Sequence, residues 1–210
     1  MALAQTLDDL PLRTALAQAA RDFHRRGWMA GTAGNLSARS GPDRFWITAS
    51  GKPKGCLDES DFLEIAIGNG EVVDRPAPDL KPSAETSIHQ SIYQIAPDAG
   101  ACLHVHTVDA SLATADETGD ELALPALEMI KGLGVWEQDP QVGLALFDNW
   151  LDVPHIAAAI RERFGARAPR LPALMIRSHG VTVWGKSIQQ AYDRLECLEF
   201  LMQYVARQAT

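Results

Sequence analysis

The sequence predicts an α/β or α+β protein in which helices flank a central sheet. The chain has 210 residues, the size of one ordinary domain. Apolar residues make up 46% of it and charged residues 22%, which is typical of a globular protein with a substantial core. Segments with the apolar spacing of helices alternate with short strand-like runs, and no linker or repeat divides them. We therefore expect residues 1–210 to form a single domain.

The first half of the chain predicts two helices and three strands. Apolar residues recur at helical spacing from Leu12 to Phe23, and Gly27 is expected to end that helix. Ser83 is expected to cap the second helix, with Glu85 in its first turn. Strands are predicted at residues 36–39, 45–48 and 63–67, with Gly-rich loops at 31–35 and 49–53.

The second half alternates strands and helices in the same way. Residues 101–107 are strand-like and precede a short helix near 110–115. Asp152 and Pro154 start a helix that Gly165 is expected to end. A buried strand is predicted at 174–178, with residues 181–184 as a candidate partner, and Ser187 should cap the last helix.

Composition excludes several classes of protein. The net charge of −8 disfavours binding to nucleic acid or to an anionic membrane surface, although a local site can still bind an anionic small molecule. The amino-terminal segment has no signal-peptide pattern, and no apolar run is long enough to span a membrane. Three cysteines without CxxC spacing argue against a disulfide framework. We expect a cytoplasmic protein without nucleic-acid or membrane partners.

The clearest chemical signal is the sequence His104-Val105-His106. Residues two apart on a strand point to the same face, so two imidazoles should converge while Val105 packs on the opposite face. Neutral imidazole is a good ligand for zinc and related ions, whereas the simpler interpretation is two hydrogen-bonded strand histidines. His179 follows an apolar run, at the end of a predicted strand. Three histidines with an open fourth position would form a catalytic metal site.

Other polar residues have competing interpretations. His24, His89 and His155 are predicted to be solvated or hydrogen-bonded structural histidines. The two Gly-rich loops, together with the amino end of the helix after Ser83, could hold a phosphate, although each loop alone is typical of a simple turn. Glu85 could be a metal ligand, an acid or base, or a charge that suits the helix dipole.

Five motifs occur in an order that resembles the class II, metal-dependent aldolase family of fuculose-phosphate type. They are GTAGNLSAR, ITASGKPKG, KPSAE, HVHT and SHGVTVWG, and the resemblance extends from about Asp8 to Arg207. It implies a three-layer α/β/α single domain with a central sheet between helices. It also implies a homotetramer with active sites between subunits, acting on a small phosphorylated ketose.

The resemblance also implies roles for individual residues. His104, His106 and His179 would bind one divalent metal per subunit, commonly Zn²⁺. Ala84 stands where the aldolases have a second serine, which weakens one phosphate contact. The substrate phosphate would be held at five matching positions, namely Thr32, Asn35, Ser50, Gly51 and Ser83.

One position separates branches of the family. Aldolases carry a catalytic tyrosine where this chain has Glu128 in the string EMIKG, which resembles the methylthioribulose-1-phosphate dehydratase branch. That branch implies dehydration of 5-methylthioribulose-1-phosphate to 2,3-diketo-5-methylthiopentyl-1-phosphate in methionine salvage. Glu128 would be the acid and base beside a zinc-stabilised enediolate, with Glu85 as a second catalytic candidate. Without the resemblance, Glu128 would simply form an ion pair with Lys131.

Three alternatives stay open at this point. The same metal chemistry serves a ketose-phosphate aldolase of fuculose or rhamnulose type, and a pentulose-phosphate 4-epimerase. A non-enzymatic, adducin-like interaction protein is the third alternative. The retained histidines His104, His106 and His179 disfavour it, because adducin-type relatives lose them.

Overall fold

A computed structural model describes residues 6–208 of the chain. The strands are β1 Asn35–Gly41, β2 Arg44–Thr48, β3 Phe62–Ala66, β4 Val72–Asp74, β5 Ala101–Val105, β6 Glu121–Ala123, β7 Gly143–Phe147, β8 Ala173–Ile176 and β9 Gly180–Gly185. The helices are α1 Leu12–Arg25, α2 Thr86–Ile95, α3 Val108–Ala113, α4 Val153–Ala166 and α5 Ile188–Gln208. Short 3-10 helices occupy Leu7–Asp9, Lys54–Cys56, Glu59–Asp61 and Glu128–Leu133.

One sheet contains all of these strands. Its order is β4-β3-β2-β1-β5-β9-β8-β7-β6, so β5 lies at the centre between β1 and β9. Every neighbouring pair is antiparallel except β7 and β8, which are parallel. The side chains at the end of β5 therefore lie in the interior of the molecule, between elements that are distant in sequence.

Helices cover both faces of the sheet. Helices α1, α3 and α5 pack on one face, where Leu103 and Val105 of β5 join residues such as Leu195 in a single core cluster. Helices α2 and α4 pack on the other face, where Cys102 joins a second cluster. Because side chains alternate along β5, His104 shares the α2 face with Cys102. The predicted three-layer α/β/α architecture is confirmed.

Several predicted elements are present with small differences. Helix α1 and the pairing of β8 with β9 agree with the sequence, and Ser187 caps α5 by accepting a hydrogen bond from the Gln190 N–H at 3.2 Å. Strands β4, β6 and β7 were not predicted. Strands β4 and β6 have three residues each, too few to show an alternating pattern.

Several predicted boundaries were wrong, among them both ends of α3, which spans Val108–Ala113 rather than 110–115. Helix α2 begins at Thr86, because the Ser83 hydroxyl and carbonyl accept hydrogen bonds from the next turn and form a bend before the helix. Helix α4 continues through Gly165 to Ala166, since an exposed glycine weakens a helix without ending it. Strands β5 and β8 end earlier than predicted, at Val105 and Ile176, so His106 and His179 lie just beyond strands.

Two further expectations concerned membrane-spanning segments and disulfide bonds. No helix within residues 6–208 is long and apolar enough to cross a membrane. Cys56, Cys102 and Cys197 are free thiols, and burial raises the pKa of Cys102 well above its usual range. Cys102 therefore behaves as a small core side chain.

One carboxyl group is buried away from the histidines. Glu199 of α5 is fully buried, and its Oε2 atom accepts a hydrogen bond from the Thr107 hydroxyl at 2.8 Å. Its Oε1 atom has no hydrogen-bond partner among the described residues. Burial, together with the nearby Asp109, raises the pKa of Glu199 to about 7.

Candidate metal centre

Three histidines and one glutamate meet at the end of β5. The Nε2 atoms of His104 and His106 are 2.8 Å apart. The Oε1 atom of Glu85 lies 3.4 Å from Nε2 of His104 and 2.9 Å from Nε2 of His179. One donor atom from each of these residues lies within 4.8 Å of every other. The structure thus brings the three predicted histidines together and adds Glu85 to them.

The close packing of β5 and β9 determines where two of these histidines lie. His104 pairs with Thr182 and Val105 with Val181 in the antiparallel ladder, which leaves His106 beside Gly180. A Cβ atom on Gly180 would lie 2.1 Å from the Val105 carbonyl oxygen and 2.9 Å from Cδ2 of His106. Only glycine therefore fits at this position, between the strand end and the His106 ring.

His179 reaches the cluster from the tight turn between β8 and β9. The turn places Ser178 at φ 48°, in the left-handed region, and the His179 N–H donates to the Ile176 carbonyl at 3.1 Å. Non-glycine residues rarely adopt this conformation. The turn therefore directs His179 back over the end of β5.

Two of the rings have a hydrogen-bond partner on the side away from the cluster. Nδ1 of His104 lies 2.9 Å from the Thr182 hydroxyl, and Nδ1 of His179 lies 3.2 Å from Oδ1 of Asn149. When Nδ1 donates to these oxygens, the lone pair on Nε2 faces the cluster, which is the arrangement that metal-binding histidines require. The sequence did not single out Thr182 or Asn149.

The charge states of His106 and Glu85 also suit the binding of a cation. Burial, together with the neighbouring histidines, lowers the pKa of His106 to about 3, so this imidazole is neutral at pH 7. Burial alone would raise the pKa of Glu85, but the charges and hydrogen bonds of His104 and His179 outweigh it and hold that pKa well below its usual range. Neutral imidazole and ionised carboxylate are the forms that bind metal.

The donor set fits a divalent cation such as zinc. Ligands about 2 Å from a tetrahedral zinc ion lie about 3.3 Å from one another. The donor pairs Glu85–His104, Glu85–His179 and His104–His106 are separated by 3.4, 2.9 and 2.8 Å, close to that spacing. The residues therefore fit such an ion without large rearrangement.

The candidate phosphate residues lie in two environments. Thr32, Ser50 and Gly51 are exposed in loops, and Ser83 is partly buried. An isolated β-bridge between Ala49 and Pro82 brings the Ser50 loop beside Ser83. Asn35 is different, because it is buried and its amide donates to Glu85 and lies 2.5 Å from Nε2 of His89.

Lys54 is a buried cation that the sequence analysis missed. It is 2% exposed, and its Nζ atom donates to the Lys52 carbonyl at 3.3 Å. Burial lowers its pKa, while the nearby charges of Asp61 and Glu85 oppose that shift. The motif GKPKG gave no indication that its second lysine would be buried rather than solvated.

Glu128 lies apart from the histidine cluster in the described chain. Its side chain is 82% exposed, and its Oε1 atom forms an ion pair with Nζ of Lys131 at 2.8 Å. The other three histidines behave as predicted, since His24 and His155 are exposed and His89 is buried and hydrogen-bonded.

Comparison with known proteins agrees with this arrangement. Residues 14–205 match the model of the class II aldolase and adducin N-terminal domain. A protein of Microcystis aeruginosa named methylthioribulose-1-phosphate dehydratase is 52% identical over 92% of this chain and 94% of its own. A protein of the same name from Leptospira biflexa is 45% identical over 88% of this chain and 91% of its own.

Solved structures share the fold. The YgbL protein of Escherichia coli superposes with a TM-score of 0.77 and 25% identity, covering 92% of this chain and 87% of that one. The L-fuculose-1-phosphate aldolase of Thermus thermophilus gives a TM-score of 0.73 with 24% identity, covering 94% of this chain and 95% of that one. The motifs, the sheet and the family match agree, and the chain belongs to the class II aldolase and adducin N-terminal domain family.

Proposed function

We propose that this protein is a zinc-dependent dehydratase that converts 5-methylthioribulose-1-phosphate to 2,3-diketo-5-methylthiopentyl-1-phosphate in methionine salvage. The observation that carries the proposal is the cluster of three histidines and Glu85 in a chain whose relatives, 45–52% identical, bear that dehydratase name. The glutamate in EMIKG favours dehydration over aldol cleavage. The reaction removes one water and needs no redox cofactor.

His104, His106 and His179 would hold the metal, with Glu85 beside them. A bound divalent ion supplies Lewis acidity to the ketose oxygens. Glu128 would take the proton from C3 and return it to the departing C4 hydroxyl, and the enol product then ketonises. A carboxylate acting in this way contributes roughly 10²–10⁴-fold to the rate.

The exposed position of Glu128 suggests that a second copy of the chain is required. Its carboxylate is paired with Lys131 and is not a member of the cluster. A homotetramer with sites between subunits would let Glu128 of one copy serve the histidines of another. This assembly is part of the proposal, as is a cytoplasmic location.

The phosphate would bind between the two Gly-rich loops and Ser83. The β-bridge at Ala49 supports this, because it joins the loop of Ser50 and Gly51 to the segment before α2. Thr32 and the remaining N–H of Asn35 would complete the site. Lys54 adds a buried positive charge near Glu85 that suits an anionic substrate.

Identification of the products by mass spectrometry tests the function. The zinc-loaded protein is incubated separately with methylthioribulose-1-phosphate and with fuculose-1-phosphate, and metal-free protein is the control. Loss of one water from the methylthio substrate alone supports the dehydratase. Formation of dihydroxyacetone phosphate from fuculose-1-phosphate would instead identify an aldolase.

A further inference from the structure

A chain of buried side chains connects Glu85 to the interior of the α2 layer. Glu85, His89 and Tyr93 are spaced by four residues along α2 and its start, so they share one helix face. Asn35 and Ser37 are spaced by two residues on β1, so they share one strand face. The two rows interdigitate, and each side chain contacts the next across the gap between helix and sheet.

The contacts along this chain are short and continuous. The Tyr93 hydroxyl lies 2.8 Å from Oγ of Ser37, which lies 2.6 Å from Nδ1 of His89. Nε2 of His89 lies 2.5 Å from Oδ1 of Asn35, and Nδ2 of Asn35 donates to Oε2 of Glu85. Tyr93 and Asn35 are 2% exposed, and Ser37 and His89 are fully buried, so water does not compete with these bonds.

The carboxylate at one end fixes the direction of every bond. An ionised Glu85 only accepts, so the NH₂ group of Asn35 must face it and the amide oxygen must face His89. Nε2 of His89 therefore carries the proton, and Nδ1 accepts from the Ser37 hydroxyl, whose contact with Nδ1 at 2.6 Å is much shorter than its contact with the Cys102 carbonyl at 3.3 Å. Because the Ser37 hydroxyl donates its one proton to Nδ1, the Tyr93 hydroxyl donates to Ser37. Burial lowers the pKa of His89 to about 3, in agreement with a neutral ring that has one donor and one acceptor.

We propose that His89 is a positioning residue, which fixes the Asn35 amide so that its nitrogen holds Glu85 Oε2 and turns Oε1 toward His104 and His179. The proposal rests on the metal centre of the proposed function, but not on the identity of the substrate. Asn35 by itself could present either its oxygen or its nitrogen to Glu85. With its oxygen presented, two acceptors would meet in a buried site, which is unfavourable. A neutral His89 ring with its proton on Nε2 can only donate at this contact, so the group of Asn35 that faces it must be the amide oxygen.

Zinc affinity of the metal-free protein, measured by competition with a chromophoric chelator and without substrate, tests the proposal. His89→Leu removes both ring nitrogens and should weaken zinc binding about 10–100-fold, as loss of an outer contact to a ligand does. His89→Gln keeps an N–H donor near the position of Nε2 and should recover most of that affinity. The absorption spectrum of the Co²⁺-loaded protein should change in His89→Leu and resemble wild type in His89→Gln.

A matched control lies on the same helix. Ser91 of α2 is fully buried, but its hydroxyl bonds to the Ser87 and Ala157 carbonyls and does not join the chain. Ser91→Ala should therefore reduce stability without changing zinc affinity. Wild-type zinc affinity and an unchanged Co²⁺ spectrum in His89→Leu would overturn the proposal.

A second variant covers the case in which His89→Leu does not fold. Ser37→Ala leaves the imidazole in place and removes the hydroxyl that donates to Nδ1, together with its contacts to Tyr93 and the Cys102 carbonyl, so it should also weaken zinc binding. Unchanged affinity in Ser37→Ala would then overturn the proposal. The protein could show no dehydratase activity while the variants still show the expected order of zinc affinities. That result would reject the proposed function and leave the role of His89 intact.

Discussion

The Oε1 atom of Glu85 lies 2.9 Å from Nε2 of His179, although the two residues belong to segments that are far apart in the sequence. Glu85 precedes α2 and His179 lies in the turn between β8 and β9. The Glu85 carboxylate gives the cluster that it forms with His104, His106 and His179 its one negative charge. A carboxylate beside imidazole ligands raises the affinity of the site for a cation.

Glu85→Gln should therefore weaken metal binding. The amide has nearly the same size but lacks the charge, and we expect zinc affinity to fall about 10-fold or more, with turnover lost as well. Chelator competition and a turnover assay measure the two effects separately. Retained affinity with lost turnover would assign Glu85 to proton transfer alone, and no change in either would remove it from the site.

His106→Ala should remove the metal and abolish turnover. The ring supplies one of the converging Nε2 atoms, and its loss leaves two histidines and Glu85. Metal content per chain by inductively coupled plasma mass spectrometry gives the readout. His155→Ala is the control, because His155 is an exposed histidine that packs against Trp150. Full activity of a metal-free His106→Ala protein would refute the ligand assignment.

Glu128→Gln should lower the turnover number about 10²-fold or more while metal content and stability stay near wild type. The side chain is exposed, and exposed ion pairs contribute only about 0–1 kcal/mol to stability. Glu121→Gln breaks a comparable exposed pair with Arg163 and should leave turnover unchanged. Equal turnover in wild type and Glu128→Gln would end the acid–base assignment.

Ser50→Ala should raise KM by about 10-fold or more with a smaller effect on kcat, since a hydrogen bond to a charged group contributes about 1.5–3 kcal/mol. Steady-state kinetics with the methylthio substrate measure both constants. Ser60→Ala removes another exposed hydroxyl, one that bonds to Asp58, and serves as the control. If KM does not change, Ser50 does not contact the phosphate.

Glu199→Gln should stabilise the protein at neutral pH but not in acid. The folded pKa is about 7, whereas an unfolded glutamate titrates near 4.3. Below about pH 4 both states are protonated. As the pH rises toward 7, only the unfolded chain loses its proton, so wild-type stability falls relative to the variant, by roughly 4 kcal/mol at most. Urea unfolding between pH 4 and 8 measures the difference, and a difference that does not vary with pH would contradict the raised pKa.

The sequence predicted those parts of the site that depend on local spacing. The alternation His104-Val105-His106 was sufficient to predict that two imidazoles converge, although β5 ends at Val105 and His106 lies just beyond it. The helix α1 and the cap at Ser187 were predictable for the same reason. Such patterns are contained within a few consecutive residues.

The remaining parts depend on which strands are neighbours. Asn35 pairs directly with His104 across β1 and β5, and this register brings the Asn35 amide to Glu85. No periodicity in one sequence specifies that register. The partners Thr182 and Asn149 and the burial of Lys54 were missed because they follow from the same long-range packing.

The four donors come from three segments that are far apart in the sequence, and this separation has a consequence for folding. A metal ion held by Glu85, His104, His106 and His179 would cross-link the start of α2, the central strand and the β8–β9 turn. In the unfolded chain these segments are far apart. An unfolded chain that held the ion would have to close long loops, which lowers its conformational entropy. Metal uptake would then be coupled to folding, because the binding site exists only once distant strands have paired. The cell's supply of the ion would thus govern how much of this protein persists in the folded form as well as how much is active.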